Sequence, residues 1–297
     1  MSATTAQRTG RTGEGSPRVS AARAGFARAV AALTLLLLVA GGMVTSTASG
    51  LAVPDWPLSY GSWLPAMVGG VFFEHGHRML AAFVGLLILI MAFWTQFEDD
   101  RPGVRRLGWW LLLAVVAQGI LGGVTVLFGL PTAVSASHAV LAQTLFCLLI
   151  AMAELTGPFA AGVSARAPAG PLTRAGLLAA GALWGQLALG AVLRHSQGSI
   201  VWHLCGAAVA TVAAAWFAGA VLSERDEPAL TQPAAVLLTL LAFQLCLGLA
   251  TADFRTEPLP RANYAMIAVA TIHLAVGALL LGTTVLLAFR LHRLRAR

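Results

Sequence analysis

The chain has 297 residues, of which 58% are hydrophobic and 10% charged, and its net charge of +7 comes from arginine with no lysine at all. Its mean hydropathy is +0.80. A soluble domain carries about 25% charged residues, so these values exclude a soluble enzyme and indicate a polytopic membrane protein. The arginines gather in the tails and alternate loops, which argues for membrane topology and against a nucleic-acid-binding patch.

Residues 1–24 are rich in Ser, Thr, Gly and Arg and read as a flexible tail. The apolar run 29–44 could pass for a signal peptide, but its length, and Thr45–Thr47 extending it, favour a retained first span. Further apolar segments at 71–97, 107–130, 132–154, 172–193, 199–222, 234–252 and 262–289 bring the expected spans to eight. Arg78, Arg194, Arg255 and Arg261 fall on one side of this arrangement and all other arginines on the opposite side. The positive-inside rule then puts both termini in the cytoplasm of a bacterial cell, with the chain in the inner membrane and lipid around it.

A pattern repeats along the chain: Gln118-x-x-Leu121-Gly122, Gln186-x-x-Leu189-Gly190 and Gln244-x-x-Leu247-Gly248, each late in an odd-numbered span. Glutamine and glycine four residues apart share a helix face, where helices approach closely and the amide finds a partner; ordinary small-residue packing would explain the glycine equally. The first span ends in Gly41-Gly42 without the glutamine. Each following even span carries one histidine, His77, His138, His203 or His273. This repetition predicts an all-α membrane protein of eight transmembrane helices in two pseudo-symmetric four-helix bundles. The expected divisions are a tail 1–24, an N-terminal bundle 25–156, a linker 157–171, a C-terminal bundle 172–290 and a basic tail 291–297.

The outer loop Ser49 to Gly61 contains Pro54-Asp55-Trp56-Pro57-Leu58, a turn-forming composition. Trp56, Tyr60 and Trp63 suit the headgroup level, and an interfacial anchor and a lid over a site are equally good readings of this loop. Cys147, Cys205 and Cys246 all fall in apolar segments and read as small core residues. His75, His195 and His292 read as solvent or headgroup residues.

A histidine in a membrane helix is commonly a hydrogen-bonded packing residue. Four of them, one per even helix and all in the outer half, favour axial ligands for two haem irons, because paired imidazoles from facing helices bind a haem from both sides. Zinc would more commonly take four close ligands with Cys or carboxylates among them. Glu74 shares a face with His77 and lies four residues before Arg78. It is either a first-turn acid paired with Arg78 or a carboxylate poised beside a haem edge. Arg78, Arg194 and Arg255 would suit haem propionates, or equally lipid headgroups.

Taken together, Glu74-x-x-His77-Arg78, Ser49-Gly50-Leu51 with Pro54-Asp55-Trp56-Pro57-Leu58, Gln118-Gly119-x-Leu121-Gly122-Gly123-x-Thr125-Val126, and the histidines at 138, 203 and 273 resemble the haem A synthase family over roughly residues 30–289. The resemblance implies an oxidoreductase acting on CH or CH2 groups. It would oxidise the C8 methyl of haem O to a formyl group by two hydroxylations and loss of water from a gem-diol, giving haem A for terminal oxidases. It implies that His203 and His273 ligate a haem b cofactor, that His77 and His138 hold the substrate haem, and that Glu74 assists the chemistry. The haem O synthase, a protohaem farnesyltransferase, is an implied partner; a homo-oligomer is compatible, and nucleic acid is not expected. Many bacterial members carry a cysteine pair in the first outer loop; here Ser59 stands near one position and Ala52 or Val53 near the other. Two rival readings are a di-haem b-type electron carrier and a haem-binding assembly scaffold.

Overall fold

The computed structural model describes residues 20–157, 170–196, 198–253 and 264–294. Eight helices make up the described chain: α1 (Ala21–Ser46), α2 (Gly70–Glu98), α3 (Pro102–Leu127), α4 (Thr132–Thr156), α5 (Pro171–His195), α6 (Val201–Glu224), α7 (Pro228–Asp253) and α8 (Tyr264–Leu294). All eight are long and apolar enough to cross a membrane. Among the described residues the only extended pairing is an isolated bridge between Ser59 and Ser62.

Helix starts differ from the apolar runs for identifiable reasons. Pro102 occupies the first turn of α3, where a missing N–H costs nothing, so that helix begins five residues before the apolar segment. Helix α1 begins at Ala21, capped by the Ser20 side chain, so residues 21–24 are helical rather than part of a tail. In α7, Pro233 lies inside the helix and has no N–H for the Ala229 carbonyl. Arg290 of α8 donates to that carbonyl instead, at 3.0 Å.

Helix α1 packs against α2 and α4, and α3 against the same two; α5 packs against α6 and α8, and α7 against the same two. Each set of four therefore encloses its own core, one including Ile88, Leu111 and Leu149, the other Phe217, Leu237 and Leu287. The sets meet where α1 and α4 contact α8 and where α4 contacts α5. Gly282 of α8 lies there against Ile150 and Phe146 of α4, close enough that a Cβ would collide with both. In lipid, where apolar burial drives little association, such close backbone approach supplies the packing.

The end of the molecule bearing the described chain ends is tied by ion pairs. Asp99 accepts from Arg23 at 2.8 Å and from Arg101 at 2.7 Å. Arg101 also donates to the Leu155 carbonyl of α4 at 2.8 Å. Burial pushes the Asp99 carboxyl up, but the Arg101 hydrogen bonds and the charges of Arg101 and Arg23 outweigh it and hold the group below its ordinary value. Across the two sets of helices, Arg290 pairs with Glu154 through two hydrogen bonds of 2.9 and 3.0 Å. The opposite end is joined by weaker links. Arg194 of α5 donates to the Gly42 carbonyl and the Ser46 hydroxyl of α1, at 2.9 and 2.7 Å. Thr132 donates to the His195 carbonyl at 2.8 Å.

Candidate haem sites and the outer loop

The outer loop is folded around the start of α2. Glu74 is 4% exposed, and both its carboxylate oxygens are engaged: Oε1 accepts from Arg78 at 2.6 Å and Oε2 from the Val53 N–H at 2.9 Å. Arg78 spends its other terminal nitrogen on the Asp55 and Leu58 carbonyls, at 2.8 and 2.7 Å. Asp55 in turn accepts from the Tyr60 and Gly61 N–H groups at 2.7 and 2.8 Å. The Gly61 hydrogen bond is the largest influence on the Asp55 carboxyl, which is held below its ordinary value. Tyr60 and Gly61 both have positive φ, so a left-handed turn presents their two N–H groups to one carboxylate.

His75 was expected to be a solvent or headgroup residue, and the structure corrects this. It is 5% exposed, and its Nδ1 hydrogen-bonds the buried Ser59 hydroxyl at 2.8 Å. The loop inward from α2, rather than solvent, covers that face of the helix. Val53 and Ser59 are both fully buried and both tied to residues 74–78. His195 ends α5 rather than sitting in a loop, and His292 is exposed near the end of α8. Trp56 also does more than anchor: its indole lies against Gly123 of α3, where a Cβ would come within 2.7 Å of the ring. Tyr60 and Trp63 stay exposed, as headgroup residues would be.

The four histidines occur in one repeated contact. A Cβ on Gly41, Gly122, Gly190 or Gly248 would lie 3.0, 3.4, 2.9 or 3.3 Å from Cε1 of His77, His138, His203 or His273, respectively. Each odd helix therefore presents a bare backbone to the imidazole of the helix that follows it. The sequence repeat marked these glycines but not the ring each one faces. The glutamine four residues earlier adds an amide. Gln118 donates to the His138 carbonyl at 3.0 Å. Gln186 lies 3.1 Å from His203 Nδ1 and donates to its carbonyl at 3.0 Å. Gln244 lies 3.3 Å from His273 Nε2.

These stations suit haem. Nδ1 of His77, His138 and His273 is buried with no hydrogen-bond partner, as is Oε1 of Gln118, Gln186 and Gln244. Unpaired buried polar atoms are costly, and a ring nitrogen that binds iron, with the other donating to an acceptor, removes the cost. Among the described residues no cluster of three or more His, Cys, Asp or Glu gathers to hold a metal ion unaided. Arg78 and Arg194, expected near propionates, direct the donors described above to the loop and to α1; Arg194 Nε is buried without a partner. Arg255 lies outside the described residues. Cys147 is half-buried, but Cys205 and Cys246 lie on helix surfaces rather than in the core, because α6 and α7 turn those faces outward; all three are free thiols.

Comparison with known proteins adds to this geometry. Residues 67–203 match the COX15-CtaA family, described as cytochrome oxidase assembly protein. The chain is 32% identical over 258 residues to the heme A synthase of Symbiobacterium thermophilum, an alignment covering 73% of this chain and 81% of that one. It is 31% identical over 124 residues to the heme A synthase of Shouchella clausii, covering 41% of each chain. A third, from Alkalihalophilus pseudofirmus, is 32% identical over 108 residues, covering 35% of this chain and 36% of that one.

Proposed function

Because the chain belongs to the haem A synthase family and is an enzyme of haem A biosynthesis, we propose that it oxidises the C8 methyl of haem O to the formyl group of haem A. The observation that carries this reading is the buried Glu74 carboxylate, fixed by Arg78 and the Val53 N–H three residues from His77. Ser135, Ile200 and Ala270 stand at the matching positions before the other three histidines.

In this reading residues 25–156 form the substrate half and residues 172–290 the cofactor half. His77 and His138 hold haem O as substrate, and His203 and His273 hold a haem b. The haem b supplies one-electron transfer when bound. The protein itself positions and shields. Loop residues 52–61, drawn onto α2 by Arg78 and Ser59, cover the mouth of the first four helices and limit water there. Converting the methyl to a formyl group is a four-electron oxidation: each of two hydroxylations replaces a C–H bond by C–OH, with an oxygen atom supplied from outside the chain and two electrons passed to an external acceptor, and the gem-diol then loses water. Both Glu74 oxygens already accept hydrogen bonds, so its first role is a fixed negative charge that stabilises positive charge developing at the substrate edge. Opening the pair with Arg78 frees Oε1 to take the proton from one hydroxyl of the gem-diol and return it to the other, which departs as water.

Arg23, Arg28, Arg101, Arg105, Arg106, Arg174 and Arg225 lie at the end of the helices bearing the described chain ends, so that end faces the cytoplasm. The farnesyltransferase that makes haem O is the expected upstream partner. The test is haem extraction from cells co-expressing this chain with a haem O producer. A haem A peak is expected; unchanged haem O, with the chain present in the membrane, would reject the proposal.

A further inference from the structure

The four histidine stations are alike in their glycines and unlike in their amides. Three odd helices place a glutamine four residues before the glycine; α1 has Leu37 there. The amide oxygens of Gln118, Gln186 and Gln244 are buried and unpartnered. In the last four helices the even helix also makes room for the amide. Gln186 crowds Gly206, three residues after His203, and Gln244 lies against Gly277, four after His273. After His77 the corresponding residues are Leu80 and Ala81, and after His138 they are Leu141 and Ala142.

An imidazole that binds iron through one nitrogen carries a proton on the other. An acceptor for that proton fixes the ring's plane and raises its basicity. A glutamine that turns its oxygen to the ring provides one. Leucine provides none. The backbone carbonyl at this position lies near the ring at three stations, Leu37 at His77, Gln118 at His138 and Gln244 at His273, so the side chain rather than the carbonyl sets them apart.

We propose that Gln186 and Gln244 are positioning residues for the imidazoles of His203 and His273, that Gln118 positions His138 through its backbone carbonyl, and that Leu37 leaves His77 as the one exchangeable ligand. This rests on the haem-site reading above. Both ligands of the C-terminal haem are then held by amides, so that haem is resident. The N-terminal haem is held firmly at His138 and loosely at His77, which lets a substrate enter and a product leave. The loose ligand lies beside Glu74, so release and chemistry share one side of the site.

The full-length protein, purified in detergent and loaded with haem b, is mixed with excess apomyoglobin, and haem loss is followed in the Soret band. Wild type should lose haem in a fast and a slow phase. Leu37→Gln should slow the fast phase by about 10- to 100-fold, the usual scale for an outer partner of a metal ligand. Gln244→Leu should accelerate the slow phase by a similar factor and shift the low-spin electron paramagnetic resonance g-values, which report imidazole orientation. Should Leu37→Gln fail to fold, Gln186→Leu tests the same assignment on the slow phase. Unchanged rates and g-values in the folded variants would overturn the inference while leaving the haem sites standing. A slow phase that survives both His203→Ala and His273→Ala would overturn the ligand assignment itself, and this inference with it.

Discussion

Helices α1–α4 and α5–α8 each contain two glycine-on-imidazole contacts, yet the surroundings differ. The first set has 23 residues, from Thr47 to Gly69, between its first two helices, folded down on Glu74 by named hydrogen bonds. The second set has only Ser196–Ile200 between α5 and α6, with no acid three residues before His203. The second set has two glutamines at its imidazoles and glycines that accommodate them. The first has one glutamine, and its amide reaches a backbone carbonyl. In the proposed reading, a shared scaffold fixes where a haem sits and the additions decide whether it is worked on or kept.

The largest expected effect separates the halves by chemistry. Glu74→Gln keeps the side-chain shape but removes the charge, and haem A yield should fall by about 100-fold or more, the usual scale for a positioned acid–base group. Extracted-haem chromatography reads this. The low-spin b-type spectrum assigned to the second half should persist; its disappearance in the same variant would show that the halves do not act separately. Next in size is the link between them. Glu154→Ala leaves Arg290 without its buried acid, and removing one partner of a buried pair costs about 3–5 kcal/mol. Thermal unfolding in detergent should show that loss. A melting temperature within a degree of wild type would mean that the pair does not hold the halves.

Glycine-to-alanine changes sharpen the comparison further, since clearance does not follow the halves. Gly190→Ala and Gly41→Ala, with Cβ contacts of 2.9 and 3.0 Å, should reduce bound haem more than Gly248→Ala and Gly122→Ala, at 3.3 and 3.4 Å. Haem content per protein measures it, and equal losses at all four would contradict the geometry. The smallest effect belongs to Asp99. Its folded carboxyl is held below the ordinary value of 3.8, so its contribution to stability is complete above that pH and is lost as pH falls through the lower folded value. Asp99→Asn should flatten the acid limb of a stability–pH curve; an unaltered limb would remove Asp99 from the account.

Much of this was legible in the sequence. Eight apolar segments gave eight helices, because a span must satisfy its backbone internally. The Gln-x-x-Leu-Gly spacing marked the helix faces that meet the histidines. Two things were hidden. His75 looked exposed because it is two residues from His77 and so off that face; only the loop folding inward through Ser59 buries it. The Gly282 contact with Ile150 and Phe146, and the pairing of Glu154 with Arg290, join residues more than a hundred positions apart. No local pattern announces such partners. Arg290, the last residue of the expected C-terminal bundle, also fills the gap left by Pro233, a role no local pattern announces.

The paired charges between the two sets of helices sit at one end, and the links at the other end are hydrogen bonds to hydroxyls and carbonyls. That makes the joint between the sets a lever. A helix of about 25 residues is roughly 37 Å long at 1.5 Å per residue. Tilting one set by about 5° around the Glu154–Arg290 pin would move the far ends apart by roughly 3 Å, by the same geometry. The pin itself would scarcely move. Slack between the sets is thus delivered where Arg194 meets Gly42 and Ser46, beside Gly41 and the ring of His77.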